Sequence, residues 1–137
     1  MYLQKINENS LKMSTLLLII PAIDSYRYRN KSLFYWAFTI YIVSILNHWK
    51  LWKWGRAIDV IVVRSGVIYV YWCYFKYLHS YKNLHIPALL IINKLLYLLS
   101  IYFDNNIIHS ISHINYLYIY HILNIKFAKI FHPKLLN

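Results

Sequence analysis

Five apolar runs, joined by connections of only a few polar residues, constrain this chain more than any other feature. They fall at about 13–23, 33–49, 57–77, 86–103 and 106–125. Crossing ~30 Å of hydrocarbon takes a helix of ~17–25 residues, and the second to fifth runs reach that length. The first, MSTLLLIIPAI, is shorter and carries Pro21 near its end. It spans only by borrowing Asn9, Ser10 and Leu11, and is otherwise a re-entrant stub. In lipid every backbone polar group must be satisfied inside the protein, which leaves helices or a closed barrel. A barrel needs alternating segments of ~10 residues, and the runs do not alternate. The expectation is therefore all-α: a multi-pass transmembrane bundle of four to five helices, forming one integral membrane domain over residues 1–137.

Composition agrees. Hydrophobic residues make up 60% of the chain and charged residues 14%, well under the ~25% of a soluble domain. The 15 Tyr and 5 Trp suit a membrane–water boundary, where an apolar ring and a polar edge are both accommodated. A formal charge of +11 would suggest nucleic acid in a soluble protein. Here the cations cluster between apolar runs, as in SYRYRNK, KLWKWGR and FAKIFHPK, where they anchor helix ends and meet anionic headgroups. Membrane lipid, and no nucleic acid, is the expected partner. Cys73 is the sole cysteine, so no intrachain disulfide forms. Lys5 and Lys12 ahead of the first run imitate a signal peptide, but Ile23-Asp24-Ser25 lacks a small-x-small cleavage site and the run is kept in the mature chain. The abundance of Ile, Asn, Tyr and Lys fits AT-rich codons, as in the genome of a large DNA virus, a protist or an organelle.

If all five runs cross, Arg27, Arg29, Lys31, Lys76, Lys82 and the lysines after residue 125 share one side. Lys5, Lys12, Lys50, Lys53 and Arg56 share the other. The richer side is expected to be cytoplasmic, which puts the C-terminus there and the N-terminus opposite.

Polar residues at one depth point to chemistry. Ser44 and His48 are about 40° apart on one helix face, at the exit of the second run. Asp59 opens the third, and His109 and His113 share a face at the entrance of the fifth. Helix parity brings all five to a common end, with the second, third and fifth helices as mutual neighbours and the fourth outside. Three neutral imidazoles can ligate zinc and leave a fourth position for water. Asp59 could orient a ligand or accept a proton, and Ser44 could hydrogen-bond a water or a developing oxyanion. Each piece also has a plain structural role. Ser44 can bond back to its own helix turn, Asp59 can cap a helix or pair with Arg56, and the His pair can face an interface.

Ser-x3-His, ten residues, Asp, and much later His-x3-His resembles the alkaline ceramidases. These belong to a superfamily of seven-helix membrane hydrolases that also includes the progestin and adipoQ (adiponectin) receptors. The matching positions are Ser44, His48, Asp59, His109 and His113. The resemblance implies a zinc ion on the three histidines, catalytic roles for Ser44 and Asp59, and hydrolysis of a lipid amide, with a sphingolipid as substrate. It covers residues 44–75 and 105–124. Only about fifty residues separate Asp59 from His109, room for one helix where the family has three, so the implied form is truncated. Parity of the last helix is kept.

The remaining polar residues read differently. His121 lies about 80° from His113 and two turns deeper. His79, His85 and His132 fall in connections or the tail. Arg64 and Lys94 sit well inside the third and fourth runs, where a charge costs about 2.5–3.5 kcal/mol near a helix centre. They either snorkel to the boundary or face a wet cavity and an anionic headgroup. There is no G-x-S-x-G around Ser65, no P-loop and no H-E-x-x-H. Two alternatives to the hydrolase stand. One is a non-catalytic small multi-pass protein, viral or organellar, acting by helix packing or partner binding. The other, ranked lower, is haem held by His48 opposite His113 or His121.

Overall fold

The computed structural model describes residues 2–135, with side chains described from residue 8 and not at positions 81 and 135. Lys5, which enters the charge count above, therefore has no described side chain. The described residues are mostly helical, with no strand among them. The helices are α1 (Tyr2–Leu17), α2 (Ile19–Arg27), α3 (Lys31–His48), α4 (Gly55–Cys73), α5 (His85–Tyr102) and α6 (Asn106–Phe131). A π-helical turn, Tyr74–Leu78, extends α4. Among the described residues, two helices are long and apolar enough to cross a membrane, Gly55–Leu78 and His85–Tyr102.

The second to fifth apolar runs become α3 to α6 with ends close to those expected. The first does not stay short. It joins the polar residues before and after it into α1 and α2, together about 38 Å of helix at 1.5 Å per residue. The two are separated only at Leu18. Pro21 explains the break, because it has no N–H to donate to Leu17 and its ring crowds that carbonyl. The chain tightens there, Leu18 N–H bonding to Thr15 O at 3.1 Å. At the other end α6 runs six residues beyond the expected limit of 125. Phe127 and Ala128 are buried and no breaker intervenes before Pro133, so the lysines at 126 and 129 leave the helix intact.

Helix ends set the connections. Asn105 caps α6, its side-chain oxygen accepting from Ile107 N–H at 2.9 Å and Ile108 N–H at 3.3 Å. Three ends turn through left-handed residues that are not glycine: Arg29, Lys50 and Asp104, with φ of 57°, 54° and 45°. After α3, Lys50 N–H reaches Asn47 O at 3.0 Å and Leu51 N–H reaches Leu46 O at 3.1 Å. That crossed pair closes the helix at the residue after His48. Gly55 then begins α4 so close to α3 that a Cβ would stand 2.8 Å from the Leu46 carbonyl oxygen. The tight approach lays the first turns of α4 against the last turns of α3.

The closest helix pairs are α2 with α3, α3 with α4, α1 with α6, and α5 with α6. Of the expected trio of α3, α4 and α6, only α3 and α4 are a close pair; α6 packs closely on neither. α5 packs on α6 without separating it from α3, but α1 enters between α3 and α6. Small side chains permit the entry: Ser14 and Thr15 are buried, and Ser10 Oγ lies 3.5 Å from Ser110 Oγ. The apolar core gathers around Leu33, Ala37, Ile40, Val70, Tyr120 and Leu123. The outer faces of α4, with its π-helical extension, and of α5 stay apolar and uncovered, with Ile61, Trp72, Phe75, Ile92 and Leu99 all exposed.

Candidate metal centre

Each residue of the candidate site is set in place by a helix end. His48 is the last residue of α3 and Asp59 begins the second turn of α4. His109 and His113 occupy successive turns of α6, whose start is fixed by the Asn105 cap. Because Gly55 holds α4 against α3, the Asp59 carboxylate meets two donors from α3. Ser44 Oγ donates to Oδ1 at 2.7 Å and Asn47 Nδ2 donates to Oδ2 at 2.8 Å. Asp59 is buried, and both oxygens are engaged.

The three imidazoles converge beside this carboxylate. Ring centroids are 5.1 Å apart for His48 and His109, 5.4 Å for His48 and His113, and 4.9 Å for His109 and His113. One nitrogen from each ring lies within 4.8 Å of the others. Nitrogens on a tetrahedral zinc with bonds of ~2.0–2.1 Å stand about 3.4 Å apart. The rings are therefore somewhat wider than a closed metal site and draw inward if one forms. His48 Nε2 is buried without a hydrogen-bond partner and lies 4.0 Å from Asp59 Oδ2. A buried ring nitrogen left in this state is costly, and a metal ion would relieve it. The donor set fits zinc.

Hydrogen bonding also fixes how His113 presents itself. Ser14 Oγ lies 2.9 Å from Leu11 O and 3.0 Å from His113 Nδ1. A carbonyl can only accept, so the single hydroxyl proton goes to Leu11, and Ser14 accepts from Nδ1–H. That assignment leaves the Nε2 lone pair of His113 free for a ligand. Ser14 and Asn47 were not singled out in the sequence. Ser14 is one hydroxyl inside an apolar run, with nothing local to mark it. Asn47, adjacent to His48 and one turn from Ser44, carried the same end-of-helix signal as its neighbours.

Ser44, with its proton directed to Asp59, holds the carboxylate rather than pointing into the imidazole cluster. Asp59 pairs with these α3 donors and not with Arg56. His121 lies apart from the cluster, with Nδ1 3.0 Å from Asp24 Oδ2. The near-touching rings of His48 and His113 leave no gap for a porphyrin between them.

Two cavities meet at the site. One, of about 430 Å³, is lined by charged groups, including Glu8 and Lys12 within α1 and Lys50, Arg56 and Asp104 at helix ends. The other, of about 500 Å³, runs between the facing sides of α4 and α5 along Ile40, Val63, Val67, Tyr71, Leu90 and Tyr116. Asp59, Val60, Tyr97 and His109 belong to both. The Tyr97 ring meets His109 edge-on at 5.3 Å. A polar entrance and an apolar chamber thus adjoin at the imidazoles. No family model, curated protein or solved structure matches this chain.

Proposed function

We propose that the chain is a multi-pass membrane protein that binds zinc through His48, His109 and His113 and hydrolyses a lipid amide. The observation that carries this reading is the convergence of three imidazoles, one with a buried and unpartnered nitrogen, where a polar and an apolar cavity join. The uncovered apolar faces of α4 and α5 support lipid as the surrounding medium. An amphiphile fits such a junction: its chain lies in the apolar chamber and its polar linkage reaches the imidazoles. This matches the resemblance to the alkaline ceramidases, whose substrate is a sphingolipid amide.

When bound, zinc supplies Lewis-acid polarisation of a carbonyl and acidifies a water. Asp59 is the carboxylate nearest the cluster and accepts the proton released as water attacks. Ser44 and Asn47 hold its two oxygens, so the carboxylate does not turn away. His113 is oriented by Ser14. Leaving these donors intact, Asp59→Ala is expected to keep the metal and lower amide hydrolysis by about 10²–10⁴-fold. Hydrolysis of a ceramide-like amide by purified protein, with zinc content measured alongside, tests this. Activity within a few-fold of wild type would remove Asp59 from the mechanism.

With α1 and α2 crossing as one segment, five crossings separate the termini. The excess of Lys and Arg places the C-terminus in the cytoplasm and the N-terminus opposite. A C-terminal tag should then be accessible after permeabilising the plasma membrane alone; one that needs full permeabilisation reverses the orientation.

A second reading rests on the same apolar outer faces of α4 and α5. They suit a non-catalytic membrane protein that works by packing against another helix. It requires no metal, and the two readings part on zinc content.

A further inference from the structure

The apolar chamber contains a feature that neutral lipid chemistry does not use. Arg64 on α4 and Lys94 on α5 both line it. Among the described residues neither is paired with an acid. The only acid on the chamber wall is Asp59, whose oxygens are held by Ser44 and Asn47. Lys94 Nζ stands 5.4 Å over the ring of Tyr97, which in turn meets His109. Along the helix axes Arg64 lies about 7.5 Å beyond Asp59 and Lys94 about 4.5 Å from Tyr97. Along their own helices, both cations are therefore one to two turns from Asp59 and Tyr97, the residues beside the imidazoles. Beyond them the wall is apolar, along Val67, Tyr71 and Leu90.

Arg64 and Lys94 are both exposed and lie on the open side of this mostly apolar groove, and two cations there without an acid partner create a preference for an anion. Their axial offset from Asp59 and Tyr97 suits an anion a few bonds from the linkage that reaches His109. The volume of about 500 Å³ lies within the range of a small-molecule site and suits one chain better than two. We infer that the chamber binds a single-chain acyl amide bearing a carboxylate next to the amide, an N-acyl amino acid. The acyl chain lies against Val67, Tyr71 and Leu90, the amide carbonyl meets the imidazoles, and the carboxylate lies between Arg64 and Lys94.

As a substrate assignment this rests on the amidase reading above. Water adds to the amide carbonyl carbon, the C–N bond breaks, and the leaving nitrogen takes up a proton. The products are a fatty acid and a free amino acid, with no other reactant needed. Sphingolipid amides carry no charge at the corresponding position, so the two cations discriminate between the classes.

The test compares N-palmitoylglycine with N-palmitoylethanolamine, which have the same acyl chain and amide but differ in the carboxylate. Binding is measured to full-length protein in nanodiscs of neutral lipid after chelation, so that no turnover interferes. The acid should bind about tenfold more tightly, and the Arg64→Gln/Lys94→Gln pair should abolish the difference. Arg64→Lys/Lys94→Arg keeps both charges and should retain it, which guards against a folding defect. Palmitate, whose carboxylate falls at the imidazoles, should lose less affinity than N-palmitoylglycine on the Gln substitutions. Equal binding of the two amides in the wild type, or a preference that survives the Gln pair, overturns the inference. An anion preference in protein that never carries zinc upholds the binding site and defeats the amidase. Zinc binding without that preference does the reverse.

Discussion

Helix α6 carries two buried polar clusters about 16 Å apart along its axis, and they are built to opposite rules. Around Asn124, which is fully buried, the polar groups satisfy one another. Asn30 Nδ2 donates to Asn124 Oδ1 at 2.9 Å and to its carbonyl at 3.2 Å. Asn124 Nδ2 donates to Ser25 Oγ at 3.0 Å, and Ser25 donates to Pro21 O at 2.7 Å. This network fastens α2 and α3 to α6 and leaves no room for a ligand. Around His113 the pattern is different. The outer groups, Ser14, Ser44 and Asn47, are spent on orienting His113 and Asp59, while the inner nitrogens face one another with His48 Nε2 unpartnered. A closed network is glue, and an open one is a socket.

Substitutions at the two clusters should therefore separate stability from metal binding. The largest expected effect on stability is Asn124→Ala. It strips Asn30 of its side-chain acceptor and Ser25 of its donor inside the core, at a cost of about 2–4 kcal/mol. Unfolding in detergent by added denaturant reads this, and the metal content of the folded fraction should not change. Loss of metal in that fraction would mean that the two clusters are not independent. A smaller effect is expected at Ser14→Ala. His113 loses the acceptor that fixes its tautomer, and metal affinity should fall about 10–100-fold while the helices stay folded. Competition against a chelator of known affinity reads this directly. An unchanged affinity would reduce Ser14 to a residue that merely packs α1 on α6.

Much of this arrangement was legible in the sequence, and the parts that were not have physical causes. The lengths of four apolar runs fixed α3 to α6 to within a few residues at most ends. Four-residue spacings and helix parity alone bring Ser44, His48, Asp59, His109 and His113 to one end. The role of α1 was hidden because its first half is polar; a run of Asn, Glu and Lys carries no apolar signal, yet it continues the helix. Ser14 and Ser110 were invisible for a related reason. Small hydroxyl residues settle how closely two helices approach, and no periodicity reports that. The direction of the Ser44 proton was also beyond reach, since it depends on Gly55 bringing Asp59 within 2.7 Å.

The central claim is that the open cluster holds a metal, and metal content tests it most directly. Protein purified in mild detergent without added metal, then measured by elemental analysis, should carry close to one zinc per chain. His109→Ala leaves two ligands on separate helices and should drop this close to zero. His79→Ala, outside the cluster, should leave it unchanged. Wild-type protein without zinc after incubation with the ion, or a zinc content indifferent to His109, would contradict the account.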